Sequence, residues 1–401
     1  MSKATSTKNT AVKVIDSIMG SGKSSWFISK ARAGGFSTPV MYITPFLDEV
    51  ERIECELDNY HSPKTVGGDT KQTSLAMLLM DGKNIATTHA SLQLLTNETA
   101  LDFVKTHSYT VVIDEAINSV SPININSADI QYYLDQRTLK AADETSGLCS
   151  WNYCQAVTSK GRANISIIPN HIKSGNVYLA SKNEISKKTL LFWEFPKQIF
   201  ERAKDIYIMT YLFKGSIMHS YLRSNEITFE YLDPALLEYE RNGHISSLRS
   251  EKEVLEEVRN LLTIYDGAQN LVGSTEKGRP SNDTSLSSSD YKRKNSKKKK
   301  AIGKSMRNVA YRKWNLPCKD VLWTVFKDHK VNAAPKGYAS GFVSFNLRAT
   351  NDYAHIKGIM YCVNVYIHPD LGNYLNSRGG GFNPELYALG EMLQLLWRGC
   401  I

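Results

Sequence analysis

Short runs of apolar residues recur along the first half of the chain, and stretches with helical spacing separate them. Runs of this kind predict buried strands, and strands that alternate with helices predict a parallel sheet covered on both faces. Between Ile123 and Ile168 we expect helices and loops peculiar to this protein. The predicted strands are Val12–Asp16, Val40–Thr44, Asn84–Thr88, Thr110–Asp114, Ser174–Leu179 and Ile206–Thr210, and the predicted helices include Leu47–Leu57 and Thr73–Met80.

The alternation restarts after Ile227. Helical spacing predicts a helix over Ser250–Tyr265, and the predicted strands that follow are Asn270–Val272, Asp320–Phe326, Ser340–Asn346 and Gly358–Val365. A chain of 401 residues with 42% apolar content can bury two cores. The sequence therefore predicts an α/β protein with two domains, residues 1–222 and 223–401.

One segment carries the excess of positive charge. The net charge of the chain is +9, and nine basic residues and no acid lie between Lys292 and Arg307. In the rest of the chain, the basic residues are equal in number to the 40 acidic residues. The preceding stretch is rich in Ser, Gly, Asn and Asp, so we expect a mobile basic loop over about 274–307. Three interpretations stay open: a solvated loop, an electrostatic tether to nucleic acid, and a localisation signal.

The remaining composition excludes several classes. The six cysteines are scattered, and the close pair Cys149 and Cys154 supplies at most half of a zinc site. No apolar run is long enough to cross a bilayer, and the first residues lack the apolar core of a signal peptide. We expect a soluble protein of a reducing compartment, the cytoplasm, which is the host cytoplasm if a phage encodes the chain.

A glycine loop joins the first predicted strand to a helix. Gly20 and Gly22 let backbone N–H groups curve around a polyphosphate, and the helix N-terminus adds its positive end. Lys23 would reach the β- and γ-phosphates, and the Ser24 hydroxyl would bind Mg²⁺. Ser17 stands where the full motif has its first glycine. The residues expected to hold the nucleotide are Gly20, Ser21, Gly22, Lys23, Ser24 and Ser25.

The strand Thr110–Asp114 ends in one acid, Asp114, and a second acid, Glu115, follows it directly. A carboxylate at the end of an apolar strand is costly to bury unless it faces a cleft that holds a cation. Asp114 would hold Mg²⁺ through water, and Glu115 would orient and deprotonate the water that attacks the γ-phosphate. Together with the loop, this pair predicts hydrolysis of a nucleoside triphosphate.

The order of further motifs resembles that of superfamily 2 helicases and translocases of the DEAD/DEAH type. The loop is similar to motif I of that group, and Asp114-Glu115-Ala116-Ile117 is similar to motif II. The strand ends at Thr44-Pro45 and Thr88-His89 resemble motif Ia and a later motif, which implies contacts with a nucleic-acid backbone. Ile206–Thr210 resembles motif III in its threonine.

The second half carries the remaining motifs of the resemblance. Phe342–Asn346 with Arg348–Asn351 resembles motif V, and Glu391–Arg398 resembles motif VI. The resemblance implies two RecA-like domains, each a mostly parallel sheet with helices on both faces, and an ATP cleft between them. Gln394 would lie near the γ-phosphate and Arg398 would act as an arginine finger. The second motif VI arginine would fall at Ile401, so either Arg398 serves alone or the chain is truncated.

The resemblance implies an ATP-dependent helicase or translocase of phage or viral replication or recombination, with ATP and Mg²⁺ as cofactors. Its partners would be DNA with a single-stranded region and other replication or recombination proteins. The basic segment would add contacts through Lys297, Lys298, Lys299 and Lys300. The alternatives are a packaging-motor or origin-binding P-loop ATPase that does not unwind DNA, and a small-molecule kinase.

Overall fold

A computed structural model describes most of the chain. The described residues are 11–65, 70–93, 98–141, 147–152, 172, 176–180, 189–241, 243–273, 285–346, 353 and 355–400, without the side chains of 93, 241 and 398–400. The predicted motif V residues Arg348–Asn351 and the terminal Ile401 lie outside them. No helix within these ranges is both long and apolar enough to span a membrane.

The chain divides into two compact units. The first comprises the residues through Asp16, Lys23–Leu248 and His368–Phe382, and the second comprises Ser17–Gly22, Arg249–Ile367 and Asn383 onward. The first unit therefore extends past residue 222, at which the sequence analysis ended the first domain.

A seven-stranded parallel sheet forms the centre of the first unit, in the order β12-β1-β11-β5-β2-β4-β3. A three-stranded antiparallel sheet, β6-β10-β9, and the hairpins β7–β8 and β13–β14 accompany it. The strands are β1 Val12–Asp16, β2 Val40–Thr44, β3 Tyr60–His61, β4 Asn84–Thr88, β5 Thr110–Asp114, β6 Val120–Pro122, β7 Leu139–Ala141, β8 Cys149–Trp151, β9 Val177–Ala180, β10 Leu190–Glu194, β11 Asp205–Thr210, β12 Phe229–Tyr231, β13 Glu238–Arg241 and β14 His244–Ser247.

Helices flank the sheet and close its core. Ile15, Tyr42 and Val112 of the sheet pack with Phe27 and Ile53 of two helices on one face. The helices of this unit are α1 Lys23–Arg32, α2 Leu47–Glu56, α3 Lys71–Met80, α4 His89–Gln93, α5 Glu98–Thr106, α6 Ser127–Asp135, α7 Gln198–Arg202, α8 Ile217–Ser224 and, late in the chain, α13 Pro369–Ser377.

The second unit has its own core around Trp323, which packs with Tyr291, Ile302 and Met306. Two parallel strands, β15 Val321–Thr324 and β16 Gly358–Tyr361, form its sheet among the described residues, and Phe342 adds a single parallel bridge to Trp323. Its helices are α9 Glu251–Leu261, α10 Ser288–Arg293, α11 Ser296–Arg307, α12 Lys330–Ala333 and α14 Pro384–Cys400, and a π-helical turn covers Asn308–Lys313.

The α/β class is confirmed, and β1, β2, β4 and β5 have the predicted bounds. Two strand predictions in the second half were wrong. Asn270–Val272 lies in a 3-10 helix, Ala268–Gly273, where Leu271 is exposed, whereas a strand of a covered sheet would bury this side chain. Ser340–Asn346 begins with a 3-10 turn and, among the described residues, pairs through one bridge at Phe342. The backbone at Gly341 lies so close to the Val321 carbonyl that a Cβ atom would come within 2.2 Å of that oxygen.

The expectation of a mobile basic loop was wrong for residues 285–307, and residues 274–284 lie outside the described ranges. Helices α10 and α11 begin at side-chain caps: the Ser287 hydroxyl accepts from the Asp290 N–H, and the Asn295 side chain accepts from the Lys298 N–H. Ile302 and Met306, spaced by four residues, are buried in the second core. This apolar face holds the helix in place although lysines dominate its composition.

Candidate nucleotide-binding site

The motifs predicted in the first half of the sequence meet at one edge of the seven-stranded sheet. Asp16 lies opposite Thr210 across the β1–β11 pair, and Met209 lies opposite Asp114 across the β11–β5 pair. On the other side of β5, Thr44 of β2 lies opposite Thr88 of β4. Because all of these strands are parallel, their carboxyl ends share an edge, which is where ligands bind in open α/β sheets.

The glycine loop follows β1 at this edge, and α1 begins directly after it at Lys23. Gly20 and Gly22 have φ angles of 74° and 105°, a region that side chains with a Cβ atom rarely adopt. The backbone conformation therefore favours glycine at both positions, and the phosphate-binding role of the loop stays a prediction. The Ser21 side chain is fully buried, and Ser24 and Ser25 are half-buried in the first turn of α1.

Lys23 faces carboxylates from two strand ends. Burial lowers the pKa of its ammonium group to about 8, and the charges of Asp114, Glu115 and Asp16 partly offset that effect. The Asp16 carboxylate also accepts a hydrogen bond from the Phe213 N–H at 3.1 Å. A single cation beside three acids is an arrangement that additional positive charge would stabilise.

Burial also changes the pKa of Asp114. Its pKa is raised to about 7 by burial and by the nearby charges of Glu115 and Glu49, whereas the Tyr42 hydrogen bond and the Lys23 charge lower it. The Tyr42 hydroxyl donates to Asp114 Oδ2 at 2.8 Å. Burial holds the pKa of Tyr42 well above its usual range, so this hydroxyl keeps its proton.

Glu115 has a left-handed backbone with φ 62°. Its N–H donates to the Met209 carbonyl of the neighbouring strand at 2.9 Å, which fixes the peptide where β5 ends. A non-glycine residue in this region stores strain of about 1–3 kcal/mol, and such strain clusters at functional sites. The predicted catalytic base is therefore the residue at which the chain turns out of the sheet.

The residues predicted to meet nucleic acid lie at the ends of β2 and β4. Pro45 and His89 are half-buried, and the His89 Nε2–H donates to the Asp114 carbonyl oxygen at 3.0 Å, since a carbonyl can only accept. Thr88 receives a hydrogen bond from the Ser91 N–H and so caps α4. Thr44 is fully buried, which does not fit the direct contact with nucleic acid predicted for its side chain.

The second unit holds the other predicted residues. Gln394 is half-buried on α14, and the side chain of Arg398 on the same helix lies outside the described residues. The roles predicted for both stay predictions. On α11, Lys297, Lys298 and Lys300 are exposed and Lys299 is half-buried.

The residues present fit a Mg²⁺-bound nucleotide. Asp114 carries a carboxylate and Ser24 a hydroxyl, and Mg²⁺ prefers hard oxygen ligands. Across the described ranges, no group of three or more His, Cys, Asp or Glu side chains could hold a metal ion. Where Mg²⁺ is bound together with substrate phosphates, a protein usually supplies only one or two ligands.

Sequence reasoning missed the residues that support this site. It gave no role to Asp16, Tyr42 or Glu49. The one available signal was the hydroxyl of Tyr42 within a mostly apolar strand, since a buried phenol hydroxyl needs a hydrogen-bond partner. Glu49 gave no signal, because its place beside Tyr42 depends on how α2 packs.

Comparison with known proteins gives a relative that spans nearly the whole chain. The SPbeta prophage-derived protein YonV of Bacillus subtilis (strain 168) is 32% identical over 405 residues, which cover 97% of this chain and 93% of the relative. The chain belongs to the YonV family. The YonV C-terminal Rossmann-like domain matches residues 256–401, a range that lies within the second half of this YonV-family chain.

A solved structure called XPD_APO is also similar, with a TM-score of 0.46 and 15% identity over 97% of this chain and 90% of that one. A likeness at this level says nothing about the activity of the YonV-family chain.

Proposed function

We propose that this protein is an ATP-dependent, Mg²⁺-requiring motor that moves on or unwinds DNA, in the manner of a superfamily 2 helicase or translocase. The observation that carries the proposal is the shared edge of the parallel sheet. There the glycine loop, Lys23, Asp114 and Glu115 lie together although they come from separate segments of the chain.

In this proposal, each residue has a defined task. The backbone N–H groups of the loop and the Lys23 ammonium bind the β- and γ-phosphates, and Ser24 and Asp114 hold the metal. Mg²⁺, when bound, neutralises charge that develops on the phosphates. Glu115 orients the attacking water and accepts its proton.

The nucleic-acid part of the proposal rests on two surfaces. Pro45, Thr88 and His89 lie at the same sheet edge as Asp114, and His89 is hydrogen-bonded to the Asp114 backbone. The exposed lysines of α11 in the second unit supply positive charge for phosphate contacts. The prophage origin in the name of the relative supports a role in phage DNA replication or recombination.

The first test is ATP hydrolysis with single-stranded, forked and duplex DNA. Lys23→Ala should lower hydrolysis on the order of 100-fold or more, because a preorganised charge at the phosphates is lost. Glu115→Gln should bind ATP yet fail to hydrolyse it, since only water activation is removed. Lys30→Ala, on the same helix, is the matched control and should retain activity.

Two results separate the proposal from its alternatives. Hydrolysis that rises with single-stranded DNA supports a motor, and strand separation on the forked substrate distinguishes a helicase from a packaging-type or origin-binding ATPase. Wild-type turnover by Glu115→Gln would contradict the assignment of the catalytic base. Phosphoryl transfer to a small molecule, without any effect of DNA, would instead favour the kinase alternative.

A further inference from the structure

Tyr42 connects the predicted metal ligand to the helix that follows the glycine loop. Its side chain is fully buried in β2, and its ring stacks on Phe27 of α1 with the centroids 4.4 Å apart and an interplanar angle of 27°. The hydroxyl lies 2.8 Å from Asp114 Oδ2. Packing therefore fixes the ring, and the fixed ring determines where the hydroxyl meets Asp114.

A second carboxylate lies on the other side of the same hydroxyl. Glu49 Oε1 of α2 is 3.3 Å from the Tyr42 oxygen, and Arg52 holds Glu49 through an Nε–Oε2 hydrogen bond of 2.8 Å. A phenol has one proton to donate, and the shorter distance directs it to Asp114. Glu49 and Arg52 close the far side of the hydroxyl.

We propose that Tyr42 is a positioning residue that fixes the Asp114 carboxylate for a Mg²⁺-bound nucleotide. This inference rests on the proposed function, because it assigns Asp114 to the metal. The hydrogen bond engages Oδ2 and leaves Oδ1 for the cation or for a water molecule bound to it. Metal-binding carboxylates are commonly oriented by such outer hydrogen bonds, whose loss costs about 10–100-fold in affinity or activity.

Packing alone would not require the hydroxyl. A phenylalanine would fill the same space against Phe27 without burying a polar group that needs a partner. The same sheet offers a comparison at its opposite edge, where the fully buried Tyr109 donates to the Lys83 carbonyl at 2.6 Å. The Tyr109 hydroxyl thus donates to a backbone carbonyl, whereas the Tyr42 hydroxyl donates to a side chain of the candidate site.

The test measures metal binding directly, with Mn²⁺ as the probe. In the Glu115→Gln background, which prevents turnover, the Mn²⁺ affinity of the protein with ATP is measured by electron paramagnetic resonance. Tyr42→Phe should weaken Mn²⁺ on the order of 10-fold. Tyr109→Phe, which removes a similar buried hydroxyl, should leave the affinity unchanged.

A double-mutant cycle tests whether Tyr42 acts through Asp114. In an Asp114→Ala protein, Tyr42→Phe should have no further effect on Mn²⁺. Replacement of Tyr42 by 4-aminophenylalanine, which keeps a donor at the same position, should restore most of the affinity. With Glu115 intact, Tyr42→Phe should raise the half-saturating Mg²⁺ concentration about 10-fold and leave kcat at saturating Mg²⁺ near the wild-type value.

Equal Mn²⁺ affinities for the parent and Tyr42→Phe would overturn the inference, and so would an equal loss in Tyr109→Phe or in the Asp114→Ala background. Failure of the parent protein to bind Mn²⁺ with ATP would instead overturn the proposed function. The two failures are therefore distinguishable.

Discussion

At the scale of single residues, His219 shows how burial selects a protonation state. It lies on α8 with 5% of its surface exposed, and its ring contacts Phe213 and Phe229 at centroid distances of 5.4 and 5.5 Å. Burial lowers its pKa from 6.5 to about 4, and the charges of Arg223 and Lys214 add to that effect. The folded protein therefore keeps this imidazole neutral in mild acid.

This depressed pKa predicts that the protein loses stability as the pH falls from about 6.5 to about 4. In that window the unfolded chain binds a proton at this histidine and the folded chain does not, so acid favours unfolding by up to about 3 kcal/mol. His219→Phe should remove this part of the pH dependence. Urea unfolding of both proteins across the window measures it, and the exposed His61→Gln variant is the control that should behave like wild type.

The residues proposed to act on the nucleotide could be chosen from the sequence, but the side chains that surround them could not. Lys23, Asp114 and Glu115 occur in local patterns that are typical of phosphate binding. The contact of Tyr42 with Asp114 joins residues 72 positions apart, and no local pattern encodes it. The buried position of Thr44 was missed for a related reason: the end of a strand can point into the core as easily as into a cleft.

At the scale of elements, α11 combines a charged face with an apolar one. Lys297, Lys298 and Lys300 are exposed, whereas Ile302 and Met306 are buried. Composition alone made this stretch resemble a mobile segment, because lysines outnumber the apolar residues. The two buried positions four residues apart were the signal that a helix packs here.

The lysine face predicts a salt-dependent affinity for single-stranded DNA. Replacing Lys297, Lys298 and Lys300 by alanine should reduce the slope of log affinity against log salt by about 2, because about 0.7 counterions are released for each phosphate contact on a single strand. The helix itself should persist, since alanine favours helices. Fluorescence anisotropy at several salt concentrations measures the slope.

The matched control replaces three exposed lysines of the first unit, Lys71, Lys105 and Lys140. The net charge of this triple variant equals that of the α11 variant, so an equal change in slope would mean that only total charge matters. If the slope of the α11 variant equalled that of wild type, these lysines would only face solvent and would make no contacts with DNA phosphates.

At the scale of the whole molecule, each unit has its own core. A substitution at Gly303 tests how tightly the second core is packed. A Cβ atom at Gly303 of α11 would lie 2.6 Å from the Ala333 carbonyl oxygen and 2.9 Å from that of Ala334. Gly303→Ala should therefore destabilise the second unit by about 1–3 kcal/mol. Hydrogen exchange should rise at β15 and β16, while the central strands of the seven-stranded sheet keep their protection.

Gly390→Ala is the paired substitution on α14 of the same unit. Beyond the backbone of its own helix, no atom of the described residues lies within 4 Å of a Cβ built at Gly390, so alanine should stabilise the helix by about 0.5–1 kcal/mol. Opposite signs for the two variants are expected. If both variants were less stable than wild type, the close packing at Gly303 could not be the cause of the destabilisation.

The first half of the fold was more predictable than the second for a physical reason. Central strands of a parallel sheet are buried on both faces, and their apolar runs give a strong signal, as in Thr110–Asp114. The second unit uses shorter strands and single bridges, such as the one from Trp323 to Phe342. Such pairings depend on the close approach of distant backbones, which the local sequence does not encode.

The position of β11 between β1 and β5 has a consequence for biosynthesis. Lys13 on β1 forms an ion pair with Asp205 on β11 at 2.7 Å, across 192 positions of sequence. While a nascent chain has not yet extended through Thr210, β11 is missing from the sheet. The edges of β1 and β5 that pair with β11 are then exposed and open to association with other chains. The nucleotide binding that we propose should therefore be acquired late in translation, and fragments that end before β11 should require a chaperone to remain in solution.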